Sequence, residues 1–489
     1  MQPKRSTPRE DFIFSFLNPA VEVAVDEDME RYDRQLRLWG PLGQDRLNRS
    51  CVCLIGPVTP LLQEVSKNLV LAGVSSFTWL KENSAVPSGP LFLAELKKDL
   101  EPLTSKLLVY EEKDLGEILE QLQYDWSRFS VIILICIGKQ NTLLDLNEIK
   151  RGIGTKFPPV LNTSVSGLYG YVNLVLSEAH FVLRAHPDSK KYDLRLQNPW
   201  PELVEYVKTF DLTRMDVVEF SGIPYIVLLI KCIAKLKKDG NSGKLTSGQV
   251  KDTLRQICLS LGEDAACESN YAEARRYAYL ACSRDDCYQE LDDLLRNLEI
   301  SDDEHDWHDI CNYEIVTLVL ALKRIAQESE ESTFRPLAGA LPDMESTTVN
   351  YTELKSIYEV KAEFDRSCVK KSLVSSGKKV SKGVLNTFSS HYGEVRGILP
   401  SESDLLGIFS TSNTLLSALV MRQFQKQYTS VECENEFIGL EIDGNYSIMA
   451  FFGGVVAQEA IKLITHHFIP IDNLFLYNGI HNSSATYKI

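Results

Sequence analysis

One stretch near the start of the chain restricts the fold more than any other. Residues 51–56 (CVCLIG) form a continuous apolar run, which is typical of a parallel strand covered on both faces. Residues 61–73 follow it with apolar side chains at a helical spacing, namely Leu62, Val65, Leu69 and Ala72. The stretch therefore predicts a buried strand that leads directly into a helix, as in a nucleotide-binding crossover unit.

The turn between this strand and helix lacks the features that hold a phosphate. A nucleotide-binding turn reads G-x-G-x-x-G, because glycine lets backbone amides close on a phosphate at the helix N-terminus. Here only Gly56 is present, and Pro57 and Pro60 remove two amide donors. The next predicted strand is followed by Lys81, where an acid would bind the ribose. We infer a nucleotide fold whose own nucleotide site is dismantled; the alternative is that Glu82 binds the ribose.

Further segments with strand character occur on both sides of a long helical region. The strands are predicted at residues 77–80, 107–110, 131–137, 159–162, 170–176, 473–477 and 485–488. From about residue 211 to about residue 441, apolar residues recur every three or four positions, as in the segments 288–298, 315–325 and 415–424. This order predicts an α/β domain that is interrupted by a helical insertion and completed by the C-terminus.

A long helix is predicted over residues 448–464, and it contains the pair Gly453 and Gly454. Each glycine costs about 1 kcal/mol of helix stability relative to alanine. The pair is tolerable where another backbone approaches closely. We therefore expect this helix to pack tightly against a neighbouring element.

Charge and cysteine usage argue against several classes of partner and compartment. A net charge of −15 and a pI of about 5.2 make nonspecific binding to nucleic acid or to an anionic membrane unexpected. The most apolar run, residues 223–234, is too short to span a bilayer and contains Lys231, so it is predicted to be a buried helix. The 11 cysteines are odd in number and lack framework spacing, which indicates a reducing cytoplasmic or nuclear setting.

Residues 31–40 (RYDRQLRLWG) predict a short amphipathic helix. Tyr32, Leu36 and Trp39 fall on one face at helical spacing. The charged residues lie elsewhere on the helix, and a glycine and a proline end it at residues 40 and 41. By pattern alone, the arginines of this segment belong to a solvated charged face.

The same segment also carries a family resemblance. Residues 31–40, with Gly43, Gln44 and Leu47, resemble the opening signature of the ThiF/MoeB adenylation superfamily, in particular its branch that activates ubiquitin-like modifiers. Residues 67–74 and 451–459 resemble two more of its motifs. The segments that resemble the regulatory, non-adenylating subunits of neddylation-activating enzymes (the Ula type) are residues 167–172, 186–188, 193–196, 199–203, 341–344 and 484–486.

This resemblance implies an α/β fold of the ThiF/MoeB type. It is a Rossmann-like adenylation domain that is pseudo-active and is interrupted by a large, mainly helical insertion. The implied order is a flexible N-terminal extension, the first part of the pseudo-adenylation domain, the insertion that contributes to the catalytic-cysteine domain, and the C-terminal completion of the pseudo-adenylation domain. These parts span residues 1–29, 30–210, 211–440 and 441–489 respectively.

Active members of the family bind ATP and magnesium, adenylate the C-terminal glycine of a ubiquitin-like protein, and transfer it to a catalytic cysteine as a thioester. In the split enzymes one subunit keeps this machinery and the other is an inactive copy. The present chain also departs from the active Ser-Asn-Leu-x-Arg-Gln segment, where residues 87–93 read PSGPLFL. The resemblance therefore implies that this chain binds no cofactor. A catalytic partner subunit would bind ATP and magnesium in a heterodimer that acts on the ubiquitin-like modifier.

One catalytic contribution is implied for this chain. In family dimers the second arginine of the R-Y-x-R-Q signature reaches across the interface towards the partner's ATP phosphates, and Arg34 is the matching residue. The planar, permanently charged guanidinium can neutralise phosphate charge in bidentate fashion. Arg37 is the nearest competitor for this role. No cofactor-binding or metal-binding residue is expected.

Other chemical sites are weaker candidates. Cys282 and Cys287, with His305 and His308, could suggest zinc, but paired C-x-x-C knuckles are absent. None of the cysteines has the family's local signature of a thioester nucleophile. Residues 466–467 (HH) are better interpreted as histidines at a helix C-terminus than as catalytic bases.

Three other functions stay open on the sequence. The first is the corresponding subunit for sumoylation, although that subunit has a much shorter middle. The second is an autonomous nucleotide-dependent enzyme with degenerate motifs, either an adenylating enzyme or a nicotinamide-dependent dehydrogenase. The third is a pure interaction scaffold with no catalytic part in any complex.

Overall fold

The computed structural model describes residues 30–81, 96–120, 124–136, 157–185, 192–240, 245–282, 307–329, 334–400 and 446–488. These residues fall into two compact units. The first unit is formed by the chain up to His180 and again from Ile398 onward, and the second unit is Phe181–Gly397. The first unit is therefore discontinuous in sequence. The domain boundaries inferred from the resemblance stay predictions, and the predicted segments 1–29, 288–298 and 415–424 lie outside the described residues.

The elements are numbered in chain order. The strands are β1 Cys51–Ile55, β2 Ser76–Lys81, β3 Val109–Asp114, β4 Val131–Cys136, β5 Val160–Ser166, β6 Tyr169–Val175, β7 His180–Val182, β8 Arg396–Ile398, β9 Leu474–Asn478 and β10 Ser483–Tyr487. The helices are α1 Asp33–Arg49, α2 Pro60–Ala72, α3 Leu115–Glu120, α4 Pro201–Thr209, α5 Val217–Ser221, α6 Tyr225–Lys238, α7 Ser247–Leu261, α8 Ser269–Arg276, α9 Ile310–Glu328, α10 Thr348–Ser375, α11 Lys382–Ser390 and α12 Tyr446–Thr465.

In the described part of the first unit, eight strands form one sheet in the order β10-β9-β6-β5-β4-β1-β2-β3. The five strands from β5 to β3 pair in parallel. Strands β6, β9 and β10 extend the sheet with antiparallel pairing. Each strand predicted from the sequence has a counterpart within a few residues, and the predicted α/β fold class is confirmed.

The central strands are covered on both faces, as their continuous apolar sequences predict. Val52 and Leu54 of β1 belong to one buried cluster, together with residues of α2 and α12. Cys53 and Ile55 of the same strand belong to a second cluster, together with residues of α3. Because alternate side chains of a strand point to opposite faces, the two clusters lie on the two sides of the sheet.

Strand β3 differs most from its prediction. The sequence predicts a strand over residues 107–110, whereas the structure has Val109–Asp114. The second half of this strand is charged (EEKD) and it lies at the edge of the sheet, where side chains reach solvent. An apolar pattern therefore detects only its beginning.

The close helix packing expected for α12 is confirmed at one of its two glycines. A Cβ atom on Gly453 would lie 2.5 Å from the Cβ of Glu64 on α2, whereas a Cβ on Gly454 would meet nothing within 4 Å. Phe452 packs on the sheet, and a Cβ on Gly170 of β6 would collide with its ring. Because Gly453 and Gly170 have no side chain, α12 can approach α2 and the sheet closely.

The second unit is mainly helical and has a core of its own. The run predicted as a buried helix is α6, which begins after Pro224 and contributes its apolar residues between Ile226 and Ile233 to that core, while Lys231 is half-buried. Asn270 of α8 is fully buried, and its Nδ2 donates to the carbonyls of Phe220 and Ile223. The predicted helix over residues 315–325 lies within α9.

One helix in the described ranges, α12, is long and apolar enough to cross a membrane. Its buried residues Phe452, Val456, Ala460 and Leu463 belong to the same cluster as β1 and α2. Packing against a sheet accounts for its apolar composition.

Candidate functional site

The candidate site is built around α1, which is held in place by contacts with the C-terminal end of α2. Helix α2 ends at Ala72. The next residue, Gly73, has a left-handed backbone (φ 110°), which lets its N–H and that of Val74 donate to the carbonyls of Val70 and Leu69. The last two carbonyls of α2, those of Leu71 and Ala72, remain. An unsatisfied carbonyl at a helix end needs an outside donor.

Two glutamines of α1 supply these donors. The Nε2 of Gln35 lies 3.0 Å from the carbonyl oxygen of Leu71, and the Nε2 of Gln44 lies 2.9 Å from that of Ala72. Gln44 is buried, and its Oε1 accepts a hydrogen bond from the indole Nε1 of Trp39 at 3.0 Å. The signature segment therefore docks α1 on the C-terminal end of α2.

The three arginines of this segment have different surroundings. Arg31 donates to the carbonyl of Leu103 at 2.5 Å. Arg37 pairs with Asp33, one turn earlier on the same helix, at 2.9 Å. Arg34 is exposed, and no described residue forms a hydrogen bond or ion pair with it. Of the two candidates for a role towards another subunit, Arg34 is the one without a hydrogen-bond or ion-pair partner among the described residues, and the role itself stays a prediction.

The turn from β1 to α2 has no room and few donors for a phosphate. Gly56 has φ 131°, and a Cβ there would collide with the carbonyl of Ile135 on β4. Its N–H donates to the carbonyl of Leu80 at 3.3 Å, and its own carbonyl accepts from the indole of Trp79 at 2.8 Å. The packing of the sheet therefore explains why residue 56 is a glycine, and no phosphate contact is needed to explain it.

The N-terminus of α2 is capped internally. The Oγ1 of Thr59 accepts from the N–H of Leu62 at 3.1 Å, and the carbonyl of Thr59 accepts from the N–H of Gln63 at 3.1 Å. Pro60 occupies the first helical position and has no N–H. This turn is a poor fit for the phosphates of ATP, because residues 57 and 60 are prolines without an N–H and the amides of Gly56 and Leu62 are already bonded.

Lys81, the last residue of β2, is also committed to a partner. Its Nζ lies 2.5 Å from the Oε1 of Glu112 on the neighbouring strand β3. This hydrogen bond and the carboxylate charge raise the pKa of Lys81 above its usual value. The ribose position thus holds an ion pair. Glu82, the alternative ribose ligand, lies outside the described residues.

A depression of about 680 Å³ lies at the carboxyl ends of β2 and β3, which is the edge where doubly wound sheets bind nucleotides. It is lined by Lys81, Glu112, Lys113, Asp114, Glu117, Ile118 and Tyr124. Glu111, beside this rim, pairs with both Arg128 and Lys113, at 2.8 and 3.3 Å. The rim has more carboxylates than cations, and its lysines have acidic partners, so it is poorly suited to a triphosphate.

Three of the described cysteines with buried side chains, Cys53, Cys232 and Cys258, are poor nucleophiles. Burial raises the pKa of Cys232 and of Cys258 to about 12, and it raises the pKa of Cys53 well above its usual value. The thiolate is the reactive form of cysteine, so these three thiols are unreactive at neutral pH.

The remaining candidates from the sequence are the four residues considered for zinc and the histidine pair at residues 466–467. Of the four residues considered for zinc, Cys287 and His305 lie outside the described residues. The histidine pair follows the end of α12 as predicted, but both rings are buried. His466 stacks on His180 with their ring centroids 4.5 Å apart.

Sequence reasoning missed two features of the site. The signature glutamines Gln35 and Gln44 belong to the recognised motif, yet nothing in the pattern shows that they cap α2. Glu112 as the partner of Lys81 was also missed, because the register of β2 against β3 places these two residues on adjacent strands. The only signal in the sequence was that the acidic residues of β3 and the lysine at the end of β2 could form an ion pair if the two strands were neighbours.

Comparison with known proteins identifies the family. No protein-family model matches the chain. The NEDD8-activating enzyme E1 regulatory subunit of Saccharomyces cerevisiae is 71% identical over 462 residues, which cover 94% of this chain and 100% of that relative. The corresponding subunit of Xenopus laevis is 26% identical and the AXL subunit of Arabidopsis thaliana is 27% identical; each match covers 94% of this chain and 98% or 99% of the relative. The chain therefore belongs to the family of NEDD8-activating enzyme E1 regulatory subunits.

Proposed function

We propose that this chain is the non-adenylating half of a heterodimer that activates NEDD8. A catalytic subunit supplies the ATP and magnesium site and the cysteine that receives the thioester. The observation that carries this proposal is the β1–α2 turn, where Pro60, the Thr59 cap and the buried Gly56 leave no cradle for a phosphate.

The identity of the modifier follows from the relatives, whose names specify NEDD8. The corresponding subunit for sumoylation is not favoured by these relatives. An autonomous nucleotide-dependent enzyme is disfavoured by the same turn and by the Lys81–Glu112 pair. The described cysteines are free thiols, which fits the proposed cytoplasmic or nuclear setting.

The proposed contribution of this chain to the chemistry is Arg34. Adenylation joins the modifier's C-terminal carboxylate to the α-phosphate of ATP and releases pyrophosphate, so negative charge is redistributed over phosphate oxygens. A guanidinium donated from the other subunit can neutralise that charge without a proton transfer, because it stays protonated. Arg34 meets the two requirements that can be checked on this chain, namely exposure and the absence of a partner among the described residues.

The test is an ATP-dependent thioester assay with purified NEDD8. It is run on this chain alone, on the candidate catalytic subunit alone, and on the two mixed. We expect a thioester only in the mixture, on the catalytic subunit. A thioester or adenylate formed by this chain alone would overturn the proposal. Full activity of the catalytic subunit alone would show that this chain is dispensable for the reaction.

A further inference from the structure

Helix α1 is two segments joined at a bend. Gly40 has φ 69° and ψ 177°, which are not helical, and Pro41 begins the second segment. Arg34 and Gln35 lie on the first segment, and Gln44 lies on the second. The direction of the first segment, and with it the position of Arg34, therefore depends on what fixes this bend.

The bend is bridged by one buried hydrogen bond. The indole of Trp39, at the end of the first segment, donates to the Oε1 of Gln44 on the second segment at 3.0 Å. Indole N–H groups only donate, so the amide oxygen of Gln44 must face Trp39 and the Nε2 must face the carbonyl of Ala72. Gln44 therefore joins three elements: both segments of α1 and the end of α2.

The site around Gln44 leaves little freedom for the amide. A Cβ on Gly73 would lie 2.6 Å from the Nε2 of Gln44 and 2.9 Å from the Oδ1 of Asn48, so the backbone of α2 touches the second segment of α1. Trp39 and Gln44 are both buried, at 8% and 5% exposure. In such surroundings, loss of the amide would leave the indole N–H and the Ala72 carbonyl without these partners.

We propose that Gln44 is a positioning residue for Arg34. It holds Trp39 against α2, and Trp39 ends the segment that carries Arg34. Gln35 also fixes the first segment to the end of α2, through the carbonyl of Leu71. Gln44 does not itself reach a phosphate, because its amide is buried and committed. This inference rests on the proposed trans role of Arg34 and extends it to the residue that sets its geometry.

The test uses the assembled heterodimer and measures the rate of adenylate formation with ATP, magnesium and NEDD8. Gln44→Leu keeps the side-chain volume and removes the amide. We expect it to slow adenylation roughly tenfold at saturating ATP, because misplacing a catalytic group by about 1 Å costs one to two orders of magnitude. The decisive measurement is the same substitution in an Arg34→Ala background, where we expect less than about a twofold further effect, since the two act as one unit.

A matched control is Gln63→Met, which changes a half-buried glutamine at the opposite end of α2 and is expected to leave the rate unchanged. Should Gln44→Leu prevent assembly, Gln35→Met is tested in the same two backgrounds, because Gln35 is half-exposed. If the substitution slows adenylation by the same factor in the wild-type and Arg34→Ala backgrounds, the positioning role is overturned. The glutamine would then affect the rate only through the general structure of the subunit. No effect of Gln44→Leu or Gln35→Met on the wild-type rate would overturn it as well. A normal rate for Arg34→Ala alone would instead refute the proposed function of Arg34.

Discussion

At the scale of single residues, three neighbouring arginines of the signature segment have different surroundings. Arg31 and Arg37 have partners on this chain, and Arg34 has none among the described residues. An exposed arginine that forms no hydrogen bond or ion pair with any described residue is available for a function in a complex. Gln35 and Gln44 of the same signature segment, by contrast, bind the C-terminal end of α2.

We expect Arg34→Ala to slow adenylation by the heterodimer at least about tenfold without dissociating it. Arginines that act in trans on phosphoryl groups contribute about 10³–10⁵ in rate in other enzymes. Arg34→Lys should recover only part of the rate, because an ammonium cannot reproduce the bidentate geometry. The rate is measured as pyrophosphate release, and assembly is measured by gel filtration.

Arg37→Ala serves as the control for that substitution. Arg37 and Asp33 form an exposed ion pair between residues one helical turn apart, so its loss lowers the free energy of unfolding by at most about 1 kcal/mol. We expect the adenylation rate of this variant to stay within about twofold of the wild type. A larger loss of adenylation rate for Arg37→Ala than for Arg34→Ala would show that Arg37, and not Arg34, acts on the partner's ATP.

Residue identities showed that the usual phosphate and ribose ligands are missing, but they did not show which contacts stand in their place. Pro57, Pro60 and Lys81 indicate that phosphate and ribose ligands are missing. They do not show that Thr59 caps α2 or that Glu112 binds Lys81. Both contacts depend on strand register and side-chain rotamers, which a single sequence does not determine.

At the scale of elements, helix α12 offers a matched pair of adjacent glycines. We expect Gly453→Ala to destabilise the isolated chain by about 1–3 kcal/mol, because the new methyl group would overlap Glu64 of α2. Gly454→Ala should instead stabilise it by up to about 1 kcal/mol, since it gains helix propensity in open space. Chemical denaturation of both variants measures the two free energies of unfolding. Equal effects of the two substitutions would show that α12 does not pack on α2 as described.

Elements were predictable where one physical signal dominated. The continuous apolar runs of β1 and β4 gave strands close to the observed ones, because both faces of these strands are covered. The edge strand β3 was placed too early, since its charged half carries no apolar signal. The bend at Gly40 was expected as a helix end, but a second helical segment follows it at once.

At the scale of the whole molecule, the described part of the chain has the architecture of a nucleotide-binding fold. The residues at the β1–α2 turn and at the end of β2, however, do not match those that bind phosphate and ribose. The parallel order of β5 to β3 and the helices on both faces of the sheet are maintained. The carboxyl ends of β2 and β3 now hold ion pairs. We propose that the retained fold serves to complete a dimer and to present Arg34.

The most direct test of this account is the stoichiometry of ATP binding. Calorimetry with ATP and magnesium is performed on this chain, on its catalytic partner and on the assembled heterodimer. We predict no binding to the isolated chain at millimolar ATP and one ATP per heterodimer. Binding of ATP to the isolated chain, or two ATP molecules per heterodimer, would contradict the conclusion that the nucleotide site of this chain is dismantled.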